Sequence, residues 1–488
     1  MFKKLKTIRK ARENMKKASS YLEWLLAATT IDTIEGTSRW IKDEYSPFYD
    51  VGELKNAIAK LKELQQPDKA GELIKFLEQA LYRHHHDVVN PQLYSHTRSG
   101  ESKILPRNFL QEATNSLNFL CDTPLPGIST EFKLKKLKKY YKTFGRSALM
   151  LSGGATMGIY HLGVVKALFE TNLLPKIITG SSMGAIVAAG LCTRTRREAR
   201  QFFNNPENIQ RRGLNYKGFF QILKEKSLFN QKKLLTHILA NIGGDYTFKE
   251  AWEKSGYNLN ISVSPTRTRQ KPKILNHLST PDLLISQATL ASCAMPFLFK
   301  PIQLKYRSKD GQIKPYLPSE RWVDGTLGGD LPMARVSRLH NANHFIVSQT
   351  NPHIYPFFPR SESPGLMYLG VDLAGSLLRN QARSLIEILR KYPRRKRTRS
   401  TYLDQLHSLT SQPYSGDINI HPHIEPAMIT RLVSNPTRKE IDKYIHEGER
   451  YAWPKIAIIR DQTLIARTFE SCIEQLENQV NNSNMVES

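Results

Sequence analysis

Cysteine is scarce. The 488 residues hold only four, Cys121, Cys192, Cys293 and Cys472, at separations that match neither a metal-binding nor a redox pair. This excludes a disulfide framework and fits isolated thiols in a reducing compartment, so a cytoplasmic location is expected. Long apolar runs are missing too: no uninterrupted stretch approaches the roughly 20 residues that a transmembrane helix needs. The N-terminal MFKKLKTIRKARENMKK lacks the apolar centre and small-residue cleavage site of a secretory signal, so none is expected. Acidic residues are in short supply as well. There are 44 Asp and Glu against 71 Lys and Arg, a formal net charge of +27, and a field of that sign draws anionic partners such as nucleic acid or acidic lipid.

Three clusters carry much of the excess: FKKLKTIRKAR from Phe2, FKLKKLKKYYK from Phe132 and RKYPRRKRTR from Arg390. None lies in a zinc-finger, RNP or basic-zipper pattern, which disfavours nucleic acid. The first interleaves Phe2, Leu5 and Ile8 with lysines at helical spacing. That arrangement can lie on an anionic bilayer, and a peripheral membrane protein is expected. The competing reading of each cluster is a solvated face or a linker.

Residues 1–145 read as helical. Leu54, Ile58, Leu61 and Leu64 form one stripe, and Leu73, Leu77 and Leu81 form another after Pro67. From Ser147 short β-branched runs alternate with helical ones, which predicts an α/β fold with a largely parallel sheet. Strands are expected at ALMLS (148), KIIT (176), LNISVS (259), RWVD (321) and HFIVSQ (344). Beyond Pro352 come a proline-rich turn, a helical stretch from Pro364 to Lys391, the third basic run, GDINIHP near 417 and a terminal helix over about 455–480. The expected division is a helical N-terminal domain (1–145), an α/β domain (146–355) and a mostly helical C-terminal region (356–488).

Three elements carry chemistry. In GSSMG, Ser182 stands between Gly180 and Gly184, after a strand and before a run of small residues. The chain must turn sharply there, and the serine is presented at a helix N-terminus, where amides and the helix dipole favour an oxyanion. Upstream, LSGGATMGIYHLG repeats the strand–glycine–helix pattern. Gly153 and Gly154 can present successive amides as a nest, with Gly158 opening a helix whose Ile159, Leu162, Val165 and Leu168 face inward. A P-loop is disfavoured because Ile159 and Tyr160 follow, not Lys-Ser/Thr. Third, Asp324 in WVDGTLGGDLP ends a short strand. It can serve as general base if a poorly hydrated site raises its pKa, or it can simply form an Asp-Gly turn.

A glycine nest, then Gly-x-Ser-x-Gly, then Asp-Gly, in that order, resembles the patatin-like phospholipase family. The resemblance implies a three-layer α/β/α hydrolase with helical N- and C-terminal extensions. It implies a Ser182 nucleophile, an Asp324 base, an elbow flanked by Gly180 and Gly184, and an oxyanion hole from Gly153, Gly154, Ala155 and Gly158. It implies no metal and no cofactor, and a glycerolipid substrate at an anionic membrane or lipid-droplet surface. The stretches DYTFKEAWEKSGYNLNISVSP, SQTNPH, SGDINIHP and LYRHHHDVVNPQLYSHTRSGESK look like the branch holding fungal triacylglycerol lipases, the plant sugar-dependent lipase and bacterial relatives. The likeness runs from about residue 20 to 425. One departure is Met157, where many members carry Lys or Arg.

Other readings remain open. His353 could complete a Ser-Asp-His triad. HHHD at 84–87 is a poor metal site, because consecutive helical residues diverge by about 100°. HLSTPD, from His277 to Asp282, matches the His-x4-Asp pattern of acyltransferases, which chance alone supplies. Transfer of the acyl group to a lysophospholipid, and a non-catalytic basic lipid- or nucleic-acid-binding role, are the alternatives to hydrolysis.

Overall fold

The computed structural model describes residues 2–81, 87–205, 229–267, 270–296, 298–351, 414–423 and 434–487. The expected helix at 364–391, the basic run from Arg390, His353 and His84–His86 lie outside those residues.

The first part is helical, as the apolar spacing predicts. Ser20, Asp50 and Ser129 each accept the amide three residues on, capping the helices Tyr21–Glu35, Val51–Leu64 and Thr130–Phe144. Leu54, Leu61 and Leu64 are buried with Ala57 beside them, while Ile58 sits at the margin. Pro67 opens a short 3-10 turn, and Leu73, Leu77 and Leu81 beyond it are buried.

The α/β part is built on one sheet. Its strands are β1 (Arg146–Leu151), β2 (Ile177–Gly180), β3 (Asn258–Pro265), β4 (Lys273–Leu275), β7 (Trp322–Asp324), β8 (Ala342–Ser348) and β9 (Ile418–Ile420), while β5 (Lys305–Arg307) and β6 (Ile313–Pro315) form a separate hairpin. The order is β4-β3-β2-β1-β8-β9, with β7 also on β3. The strands from β3 through β9 pair in parallel, and β4 and β7 lie antiparallel to β3. Both faces are covered. Leu149 and Leu151 of β1 join the large core, and Ala148 and Met150 join a second core with Val347 and with Val336 of the helix Met333–His340. A sheet buried on both faces demands continuous apolar strands, and this is why β1, β2 and β3 were readable.

The C-terminal residues complete this unit. β9 extends the sheet beyond β8. The helix Arg438–Ala452 crosses the helix Tyr160–Glu170 so closely that a Cβ on Gly163 would collide with the Ile445 carbonyl, and one on Gly448 with that of Tyr160. The last helix, Ile456–Glu487, packs on the helices Ile104–Asp122 and Thr130–Phe144. There Arg460 pairs with Glu101 at 3.0 Å and Tyr94 donates to Asp461 at 3.1 Å. All four cysteines are free thiols, yet Cys121 and Cys472, remote in sequence, meet here, the Cys121 thiol donating to the Cys472 carbonyl at 3.7 Å.

Candidate active site

β1 and β2 run in parallel with Leu151 opposite Gly180, so the turns after both open on the same sheet edge. The turn after β2 presents Ser182. Its backbone stands at φ 51°, ψ −122°, which a residue with a side chain adopts only under strain, of order 1–3 kcal/mol. The helix Met183–Cys192 begins at the next residue. A Cβ on Gly184 would collide with the Leu151 carbonyl, and one on Gly180 with that of Gly184, so both flanking glycines are required by close approach. The Ser182 amide donates to Ser292 Oγ at 3.0 Å, and that hydroxyl donates to the Ser262 carbonyl of β3 at 2.7 Å. These bonds hold the turn in its strained form.

Asp324 closes β7, and its amide donates to the Ala294 carbonyl at 3.1 Å. The residue is 1% exposed. Its Oδ1 accepts the amide and the hydroxyl of Thr326, at 2.9 and 2.8 Å. Its Oδ2 is equally buried and makes no well-formed hydrogen bond, although the Ser182 hydroxyl lies close enough to act on the carboxyl. Burial pushes the carboxyl up to about 6, against the pull of Thr326 and of the neighbouring Ser182 hydroxyl. Such a group is ionised at neutral pH and still basic enough to take a proton. The Cys293 thiol lies beside both residues. Burial and the Asp324 charge push it well above its ordinary range, so it stays protonated.

The glycine loop follows β1, and here one expectation is corrected. The Gly153 amide is not free to bind an oxyanion: it donates to Oδ1 of Asp330 at 2.8 Å. Gly153 must still be glycine, because a Cβ would collide with the Thr326 methyl. Ala155, exposed at the mouth with φ 46°, follows Gly154. Gly158 acts by packing, since its missing side chain admits Met183. Behind the loop His161 is fully buried, and burial pulls its imidazole down to about 4. A neutral ring fits its partners. Nε2 donates to the Ser152 carbonyl at 2.9 Å, and Nδ1 accepts the Ser348 hydroxyl at 2.7 Å. The Thr350 hydroxyl donates to the Gly153 carbonyl at 2.9 Å.

The structure thus brings Ser182, Asp324 and the loop Gly153–Gly158 to one sheet edge. It does not use His277 there, because that ring stacks on Trp252 at 4.9 Å. Sequence reasoning missed Asp330, Thr326, Ser292 and His161. The only available signal was the second Asp in WVDGTLGGDLP, which an exposed turn would display equally.

The sequence profile described as patatin-like phospholipase matches residues 149–336, and one described as a domain of unknown function, DUF3336, matches residues 1–142. Triacylglycerol lipase ptl3 of Schizosaccharomyces pombe is 32% identical over 94% of this chain and 97% of its own length. Triacylglycerol lipase SDP1L of Arabidopsis thaliana is 31% identical over 95% of this chain, and Triacylglycerol lipase 4 of Saccharomyces cerevisiae 31% identical over 91%. The chain spans 58% of the length of the plant relative and 50% of that of the budding-yeast one.

Proposed function

Because this chain belongs to the patatin-like phospholipase family, we propose that it is a serine carboxylic ester hydrolase that releases fatty acids from glycerolipids, triacylglycerol foremost, through a Ser182–Asp324 dyad. The observation that carries this reading is the asymmetry of Asp324: Oδ1 is saturated by Thr326, while the buried Oδ2 makes no well-formed hydrogen bond and the Ser182 hydroxyl is near enough to favour the charged form.

In the proposed cycle Asp324 Oδ2 takes the Ser182 proton as Oγ attacks the ester carbonyl carbon. The tetrahedral oxyanion is held by the amides of Gly154 and Ala155. Asp324 returns the proton to the departing alcohol oxygen, leaving an acyl-serine. Water, deprotonated by Asp324, then attacks the acyl carbonyl, and Asp324 hands that proton to the departing Ser182 Oγ as the fatty acid is freed. No step calls for a metal or a cofactor. The names of the relatives favour triacylglycerol as substrate.

The N-terminal helix Phe2–Lys17 supports work at a lipid surface. It carries eight Lys and Arg against one Glu, with Phe2 91% and Leu5 54% exposed. That pairing of cations and unburied apolar groups suits an anionic interface. No helix among the described residues is long and apolar enough to cross a membrane. The test is fatty-acid release from triacylglycerol emulsions and anionic phospholipid vesicles by wild type, Ser182→Ala and Asp324→Asn. Loss in both variants is expected, and full activity in Ser182→Ala would overturn the reading.

A further inference from the structure

Two carboxylates are buried at this sheet edge, and the cycle above uses one. The other, Asp330, is 1% exposed and held from three sides. The Gly153 amide donates to its Oδ1 at 2.8 Å, the Asn351 side-chain amide donates to its Oδ2, and the Ser181 hydroxyl donates to its main-chain carbonyl at 2.7 Å. These donors belong to the loop after β1, the stretch after β8 and the elbow after β2. The mutual placement of the loop and the elbow sets where an oxyanion and a nucleophile can meet. Resting on the hydrolase reading, we propose that Asp330 is a positioning residue: its ionised carboxylate locks the glycine loop onto the nucleophile elbow, and turnover requires both Asp324 and Asp330 to be deprotonated.

The chemistry of the grip requires the charge. A carboxylate is acceptor-only and takes both N–H donors at once. A proton on either oxygen turns that oxygen into a donor facing a donor, and one arm of the grip is lost. If it is the Gly153 arm, the loop is freed to rotate. Burial raises this carboxyl to about 7; the Gly153 amide opposes the rise, the Asp324 charge adds to it and Asn351 opposes it. The Tyr414 phenol also faces Asp330, and it stays neutral, raised first by its own burial and then by the Asp330 charge. Two interacting acids titrate as a pair, with macroscopic steps that belong to both.

This gives a signature that a merely structural carboxylate lacks. The measurement is the pH dependence of kcat/KM on a soluble short-chain nitrophenyl ester, for wild type, Asp330→Asn and Asp330→Ala. For wild type, log kcat/KM should fall with a slope near two below about pH 6, because two protons must leave before the site works. Asp330→Asn should show a slope of one, since only Asp324 still titrates. Its neutral carboxamide reproduces the protonated carboxyl, in which one arm of the grip is lost, so kcat at pH 8.5 should fall about 100-fold. Asp330→Ala removes both carboxylate arms and leaves only the Ser181 bond to the main-chain carbonyl. Its kcat should fall about 100-fold with KM within about threefold, the mark of a lost transition-state interaction. A slope of one in wild type, a slope of two in Asp330→Asn, or an Asp330→Ala kcat within twofold of wild type would each overturn the proposal. If Asp330→Ala fails to fold, the slopes of the other two decide. Failure of the hydrolase reading is distinct: wild type would then hydrolyse no more ester than Ser182→Ala at any pH.

Discussion

The helical layer around Val51–Leu64 and the sheet edge around Ser182 treat the same residue types in opposite ways. In the helical layer serines and aspartates cap helices in relaxed extended conformations. Its glutamates sit in water beside lysines: hydrogen bonds from Lys60 and Lys69 hold Glu63 below the usual carboxylate range, and Lys139 does the same for Glu78. At the sheet edge a serine is held at positive φ, and two aspartates are dried out and pushed up to about 6 and 7. One region is at rest locally. The other is held by its surroundings in a state it would not adopt alone, and strained backbone with raised carboxylates is what the proposed Ser182–Asp324 chemistry would draw on.

Removing the proposed nucleophile should break the contrast most sharply. Ser182→Ala is expected to lower kcat by about 10³-fold or more, with the melting temperature unchanged within a few degrees, measured by ester turnover and calorimetry. Leu61→Ala should do the reverse: a cavity in the helical layer costs about 2–5 kcal/mol in urea unfolding and leaves the kcat of folded protein near wild type. Asp324→Asn should abolish activity yet stabilise the chain at alkaline pH. The folded carboxyl near 6 lies above its unfolded value near 4, so the native state holds the proton more tightly; that preference is fully present below about pH 4 and lost as pH rises through 6. Removing the charge should therefore recover at most ~3 kcal/mol at pH 8 and about half of that at pH 5, read by denaturant melts at the two values. Ser182→Gly should be inactive and about 1 kcal/mol more stable than Ser182→Ala, because glycine tolerates φ 51°. Smallest in effect on chemistry, Lys3, Lys4, Lys6 and Lys10 replaced by Glu should leave soluble-ester kcat within twofold while vesicle co-sedimentation falls severalfold and loses its dependence on anionic lipid.

How much of this could be read in advance follows from how local each cause is. The central strands were legible because burial on both faces forces apolar runs. The sharp turn at Ser182 was legible because glycines flank it, whereas Asp324 by itself read as an Asp-Gly turn and stood out only through the resemblance. The edge strand β4 and the hairpin β5–β6 were not, since short strands with exposed positions lack the continuous buried run that marks β7, which is equally short. Gly153 misled for a related reason: a glycine-rich sequence tells that amides can be exposed, while their direction is set by an acceptor 177 residues away, Asp330. Nor does any periodicity announce that the final helix belongs beside Ile104–Asp122.

The crossing at Gly163 and Gly448 bears on how this molecule can be taken apart. The profile match ends at residue 336, before β8, which lies between β1 and β9. Excised at those limits, the segment would expose the flank of β1 and the back of the helix that starts where the glycine loop ends. A chimera meant to transplant its substrate range must therefore carry the strand near 418–420 and the helix 438–452 with it. The module that can be inherited, swapped or engineered here is not the stretch that looks familiar but a discontinuous block whose last pieces lie a hundred residues further on.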